Sequence, residues 1–171
     1  ILDEVRTKLC PSMQKGDSMK IAVGCDHGGY VLLAPVMEHL KERGIEADAF
    51  GSVDGARTDY PKVGEAVAKK VACGEYDFGI VMCGTGIGIS LAANKVRGIR
   101  CANVSESYSA AMSRRQNNCN MLALGGRTLG DQLALTLVDA FLDASFEGGR
   151  HEKRVGMIMA IEEEESSDTL K

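Results

Sequence analysis

Tryptophan is absent from the 171 residues and aromatics make up only 5%, so no clustered platform exists on which nucleobases could stack. A basic field is missing as well. The formal net charge is −4 and the isoelectric point lies near 5.4, which argues against nucleic acid as a partner. No apolar stretch approaches the roughly twenty residues that a membrane-crossing helix needs. No charged-then-apolar secretory leader opens the chain, so the expected compartment is the cytoplasm and no membrane partner is expected. The six cysteines, Cys10, Cys25, Cys73, Cys83, Cys101 and Cys119, lack the short paired spacings of a zinc site or a redox pair; most are expected to be free, buried thiols. A hydrophobic share of 44% over this length fits one domain with a core of ordinary size.

What is present is concentrated in Asp77–Ser90. The apolar run Phe78-Gly79-Ile80-Val81-Met82-Cys83 reads as a buried strand. Gly84, Gly86 and Gly88 then allow a tight turn, and helix formers resume from Ile89 to Lys95. Strand, glycine loop and helix start together make an anion cradle, because first-turn N–H groups lack internal partners and carry the positive end of the helix dipole. A Walker loop is excluded, since no lysine follows the glycines until Lys95. The dinucleotide fingerprint fails too: Ile89 and Leu91 stand where its third glycine would be. Cys83 sits at the lip of the cradle, where its thiolate should be favoured relative to a free cysteine of pKa about 8.5. On residue type alone it reads as another buried structural thiol; its place on the loop favours a base or nucleophile.

Residues 1–18 show no sustained periodicity and are expected to form a flexible extension, followed by a single domain over 19–165 and a tail over 166–171. Within the domain, Lys20–Cys25 reads as a first strand. It ends in Asp26-His27-Gly28-Gly29 before an amphipathic helix from about Tyr30 to Arg43 that Gly44 stops. A weaker strand follows over Ile45–Gly51, then a loop, then a helix over Lys62–Cys73 with Pro61 near its start. Beyond the cradle come a strand over Gly98–Val104, a helix over Glu106–Arg115 capped by Ser105, a polar break over Gln116–Asn120 and a strand over Met121–Leu124. Gly125-Gly126-Arg127 turns into a helix over Asp131–Ala144, and a last helix runs from Arg150 to about Glu165. Five strand–helix alternations predict an α/β fold: a five-stranded parallel sheet covered on both faces, with ligands bound at the carboxyl ends of the strands. Asp26-His27, Cys83, Gln116-Asn117 and Arg127 all follow predicted strands or their succeeding helices, and are expected to converge on one pocket. The last helix has no strand of its own to cover and is expected to reach across a dimer interface.

The chemical inventory is a candidate base in Cys83, backbone donors from Gly84 to Gly88, a carboxylate beside an imidazole in Asp26 and His27, and the guanidinium groups of Arg127, Arg150 and Arg154. Arg150 and Arg154 are four apart on one helical face and can grip one phosphate. Proton abstraction beside a carbonyl needs a positioned base, donors for the developing oxyanion and a handle on the substrate, so the set matches aldose–ketose isomerisation of an anionic sugar. Plainer readings stand beside each piece: His27 as a local cap, Asn117 as a helix end, and Arg150 with Arg154 as a solvated basic face.

Gly24-Cys25-Asp26-His27-Gly28-Gly29, Arg57-Thr58-Asp59-Tyr60-Pro61, Cys83 through Ser90 with Ala92-Ala93-Asn94-Lys95, and Gly148-Gly149-Arg150-His151 with Arg154 resemble ribose-5-phosphate isomerases of the B type. The family also includes galactose-6-phosphate and allose-6-phosphate isomerases. The resemblance runs from about Met19 to Glu162. It implies a Rossmann-like three-layer α/β/α homodimer with shared active sites and neither metal nor nucleotide cofactor, interconverting D-ribose 5-phosphate and D-ribulose 5-phosphate through an enediolate. It further implies that Cys83 is the base and that the Gly84–Gly88 amides, Gly86 among them, hold the enediolate. Asp26 contacts the sugar hydroxyls or ring oxygen, and Thr85 and Tyr60 support the pocket. Asn117 binds near the reacting oxygens, and His27, Arg127, Arg150 and Arg154 form the phosphate site, some from the partner subunit. One departure stands out: Gln116 occupies the place of the histidine to which the family's ring opening is credited, and a neutral amide exchanges no proton at a useful pKa. Ring opening then falls to Asp26, to a water held by Gln116, or to substrate that has opened spontaneously. The alternatives are a six-carbon sugar-phosphate isomerase and a phosphosugar-binding homologue without turnover.

Overall fold

The structure, a computed structural model, describes residues 19–168, with side chains to Glu165; the expected N-terminal extension lies outside the described residues. Strand β1 (Lys20–Cys25) is buried from Ile21 onward, as is β3 (Phe78–Cys83) from Gly79 onward, because each lies inside the sheet with both faces covered. The remaining strands are β2 (Glu46–Gly51), β4 (Cys101–Asn103) and β5 (Met121–Gly125). All pair in parallel in the order β2-β1-β3-β5-β4. The edge strand β2 alternates exposed and half-buried residues through most of its length, which explains its weaker apolar signal in the sequence.

Helix α1 (Leu33–Glu42) follows a 3₁₀ turn at Tyr30–Leu32 and buries Leu33, Val36 and Leu40 at helical spacing. Gly44 ends it with φ +70°, a left-handed conformation suited to glycine. Helix α2 (Tyr60–Ala72) buries Val63, Val67 and Val71, with Pro61 in its first turn. Then come α3 (Ile87–Ala93), α4 (Ser107–Arg115), α5 (Asp131–Leu142) and α6 (Arg150–Asp168). Helices α1, α4 and α5 pack with Ile21, Val23, Ile80, Met82, Leu122 and Leu124 on one face of the sheet. Helices α2 and α3 pack with Ala22, Val81, Cys83, Met121 and Ala123 on the other. The expected three-layer α/β fold is present.

Four local expectations are corrected. Helix α3 begins at Ile87, before the expected Ile89, because Gly86 at φ +77° turns the chain straight into it. It ends at Ala93, where Asn94 turns its side chain to the Cys101 backbone, accepting at 2.8 Å and donating at 2.9 Å. Strand β4 keeps only Cys101–Asn103 of the expected Gly98–Val104, since Gly98 takes φ +83° and turns the chain. The cap of α4 is Glu106, whose carboxylate accepts from the Ser109 N–H at 2.7 Å, in place of Ser105. Helix α6 runs on to Asp168, into the segment expected to be tail.

The connection from β1 leads to β2 on one side, and that from β3 leads toward β4 on the other, so the carboxyl ends of β1 and β3 form the topological switch point. There the Gly28-Gly29 turn lies directly against the main chain at the end of β3. A Cβ on Gly29 would fall 2.4 Å from the carbonyl carbon and oxygen of Met82, and one on Gly28 would fall 2.8 Å from the Gly84 nitrogen. The φ of Gly29 is an ordinary −97°, so its requirement is space and not backbone freedom. Gly29→Ala is therefore expected to lower unfolding stability by about 1–3 kcal/mol through overpacking, read as a lower denaturant midpoint at unchanged m-value.

Candidate active site

Cys83 closes β3 and is 4% exposed. Its Sγ accepts the Gly86 N–H at 3.2 Å, so the thiol and the left-handed glycine form one local turn. The loop is sewn to the next strand's exit: Gly126 N–H donates to the Cys83 carbonyl at 2.8 Å and Arg127 N–H to the Gly84 carbonyl at 2.9 Å. The Arg127 side chain lies along Gly84, with Cδ 3.4 Å from where a Cβ would stand. On the opposite wall the Tyr60 ring covers Gly88 so closely that a Cβ there would meet Cε2 at 2.7 Å. Thr85 is exposed, and its Oγ1 accepts the Ile87 N–H at 3.3 Å.

Asp26 is 5% exposed. Its Oδ1 accepts the N–H groups of Gly28 at 2.8 Å and Gly29 at 3.0 Å, while Oδ2 has no hydrogen-bond partner among the described residues. One oxygen thus fixes the carboxylate and the other is available for chemistry. His27 beside it is exposed. Asp26, His27, Tyr60, Cys83, Gly84, Thr85, Gly86, Gly88 and Arg127 therefore gather at one end of the sheet.

Three further free thiols lie elsewhere in the core. Cys25 Sγ donates to the Ser52 carbonyl at 3.3 Å, and burial, with Asp26 nearby, pushes its pKa up to about 11. Burial pushes the Cys101 and Cys119 thiols up as well. Cys25, Cys83, Cys101 and Cys119 are free and buried, and Cys10 lies outside the described residues. Among the described residues no group of three or more His, Cys, Asp or Glu side chains is placed to hold a metal ion, and no helix is long and apolar enough to cross a membrane.

Within one chain, Gln116 and Asn117 do not join this cluster. Helix α4 runs antiparallel to the strands, so its C-terminal end returns to the amino edge of the sheet. There Asn120, just past the turn, accepts through its carbonyl from the N–H of Gly79 near the start of β3 at 3.0 Å. Gly79 and Cys83 are four strand positions apart, or roughly 13 Å at about 3.3 Å per residue. The α6 side chains keep the same company. Glu147 N–H donates to the Arg115 carbonyl at 2.9 Å just before Arg150, and Glu162 receives the Gly98 N–H through both carboxylate oxygens, at 3.1 and 3.0 Å. The segment that leads into α6 is thus tied to the end of α4, and a groove of about 750 Å³ lined by Arg100, Asn117, Ile158 and Met159 among others lies between the Asn117 turn and the later part of α6.

Two residues that shape this edge are not singled out by the sequence. Arg100 stood inside an expected strand and Arg114 inside a helix, yet both guanidinium groups hold the Asn117–Cys119 backbone. A charged residue in an otherwise apolar strand was the available signal. His151, 5% exposed, accepts from Arg150 Nε at 3.3 Å and buttresses the start of α6.

A family model described as Ribose/Galactose Isomerase matches residues 21–158. The chain is 53% identical over 144 residues to the ribose-5-phosphate isomerase B of Escherichia coli K12, covering 84% of this chain and 97% of that protein. A solved ribose-5-phosphate isomerase B of Clostridium thermocellum superposes with a TM-score of 0.84 at 53% identity, over 85% of this chain and 99% of that one. The isomerase B of Mycoplasma genitalium, solved with bound ribulose-5-phosphate, reaches 0.78 at 38% identity, over 86% and 98% of the two chains. With the glycine loop, its thiol and the Asp26 turn in place at the switch point of the same fold, this chain belongs to the ribose/galactose isomerase family.

Proposed function

We propose that the chain interconverts D-ribose 5-phosphate and D-ribulose 5-phosphate, in the pentose phosphate interconversions of the cytoplasm. The observation that carries this reading is Cys83 on its glycine loop, with Sγ accepting from Gly86 at 3.2 Å and the half-satisfied Asp26 carboxylate in the neighbouring loop. The Cys83 thiolate takes the proton from C2 of the open aldose. The C–H electron pair moves into the C1–C2 bond, and the charge passes to the carbonyl oxygen at C1, where loop amides stabilise it. The same thiol returns the proton to C1, while the proton of the C2 hydroxyl passes to the C1 oxyanion, so that the C2 ketone and the C1 hydroxyl form together. Asp26 Oδ2 is the carboxylate free to exchange hydroxyl protons, a task that the Gln116 amide cannot perform. Thr85 and Tyr60 shape the pocket, and His27 and Arg127 belong to the phosphate end.

We further propose that the active unit is a homodimer in which each Cys83 meets the partner's Gln116, Asn117, Arg150 and Arg154. Its support is the division of the inventory between opposite ends of one protomer, together with apolar side chains left in solvent on α3 and α6. Ile87 is 54%, Leu91 61%, Met157 61% and Ile161 61% exposed.

The direct test is turnover of D-ribose 5-phosphate by the purified protein with chelator present, alongside allose 6-phosphate as the six-carbon competitor. Faster turnover of allose 6-phosphate would overturn the pentose assignment. Cys83→Ala is expected to reduce kcat by at least about 10³-fold while a bound phosphosugar still raises the melting temperature. Retained turnover would remove Cys83 from the role of base. For the shared site, Cys83→Ala and Asn117→Ala proteins, each impaired, are co-refolded at equal concentration. Random pairing makes about half the dimers mixed, each with one intact site, so recovery should approach about a quarter of wild-type activity. No recovery, with mixed dimers present by mass, would place each site within a single chain.

A further inference from the structure

The turn that carries Asn117 is gripped from two sides. Asn118 takes φ +47°, a positive value unusual for a residue other than glycine, and one that its surroundings must hold. Arg100 Nε donates to the Asn117 carbonyl at 3.1 Å and to the Asn118 carbonyl at 3.0 Å, and its Nη2 donates to the latter at 2.7 Å. From the core side, Arg114 Nη1 donates to Asn118 Oδ1 at 2.9 Å and to the Cys119 carbonyl at 2.6 Å. The Arg114 guanidinium stacks 4.5 Å above the Phe78 ring.

Arg100 also reaches beyond the turn. Its Nη1 donates to Met159 Sδ on α6 at 3.3 Å, the helix that carries Arg150 and Arg154. The side chain of Asn117 itself is exposed and makes no hydrogen bond among the described residues. Its backbone is fixed while its carboxamide is left open.

We propose that Arg100 is a positioning residue, which holds the Asn117 turn in register with α6 so that the Asn117 carboxamide and the Arg150–Arg154 face present themselves as one unit. The proposal rests on the reading that Asn117 enters a neighbouring subunit's site. Arg114 sets the shape of the turn against the core, whereas Arg100 sets its place relative to α6. Lysine cannot substitute, because one ammonium lacks the planar fork that bridges two carbonyls and a sulfur.

The test is a double-mutant cycle of Arg100→Lys and Asn117→Ala, with kcat and KM for D-ribose 5-phosphate, the melting temperature and the dimer mass measured for each. Arg97→Lys serves as the control at a neighbouring arginine whose side chain is 57% exposed. Arg100→Lys is expected to lower kcat about tenfold, with Arg97→Lys at the wild-type rate. In the Asn117→Ala background the same lysine change should cost less than about twofold, because the group that Arg100 positions is gone. An equal loss in both backgrounds, or an unaltered kcat in Arg100→Lys while Asn117→Ala is impaired, overturns the proposal alone. Full activity in Asn117→Ala overturns the reading beneath it and the proposal with it. Arg100→Gln, which keeps one amide donor, carries the same cycle should the lysine variant not assemble.

Discussion

The site depends on a contact between two backbones. Where β1 and β3 end side by side, Gly28 and Gly29 lie against Met82 and Gly84 with no room for a Cβ. That closeness brings the Asp26 turn and the Cys83 loop into one crevice. Because β1 feeds the sheet in one direction and β3 in the other, neither connection crosses the gap between them. The Asp26 carboxylate is then held by Gly28 and Gly29 N–H groups, and the thiol by Gly86, so main chain orients both side chains at the crevice.

The opposite end of the protomer obeys a different rule. There arginine side chains organise the backbone: Arg100 and Arg114 satisfy carbonyls of a turn that no strand or helix ladder reaches, and they hold Asn118 in a conformation that glycine would otherwise be needed to supply. Glu162 returns from α6 to accept the Gly98 N–H, so the last helix is tied to the same edge. The result is an edge that holds Asn117 against α6, cut off from the thiol of its own chain by the length of β3. In the homodimer proposed above, such a division would let one pairing complete two sites at once.

Cysteine chemistry in this chain illustrates why residue type alone decides little. Cys25 and Cys83 close adjacent parallel strands one register position apart, Cys25 pairing with Met82. Yet the Cys25 thiol donates to a carbonyl in a buried position that disfavours its anion, whereas Cys83 receives an N–H from a glycine turn. Which way the hydrogen bond runs follows from what lies after each strand: Asp26-His27 in one case, Gly84-Thr85-Gly86 in the other.

Much was legible beforehand because it is local. Alternating burial marks β2, apolar runs mark β1, β3 and β5, and the glycines of the cradle announce a turn whose need for φ +77° at Gly86 is a property of that residue alone. The resemblance named the family from segments that are contiguous in sequence, and Cys83, Asp26, Tyr60 and Arg127 fell together as expected because each closes or follows an element at the carboxyl edge. Sequence alone therefore determined the α/β class, the cradle and its thiol. It did not determine that Gln116 and Asn117 stand at the far edge, that Glu106 and not Ser105 caps α4, or that Arg100 leaves a strand to bind a turn. Only the tertiary structure decided these, because they depend on the direction in which a helix runs back across the sheet and on hydrogen-bond partners brought close by folding. Asn117 and Arg100 are 17 residues apart, and Gly98 and Glu162 are 64 apart. No periodicity in either segment encodes the other.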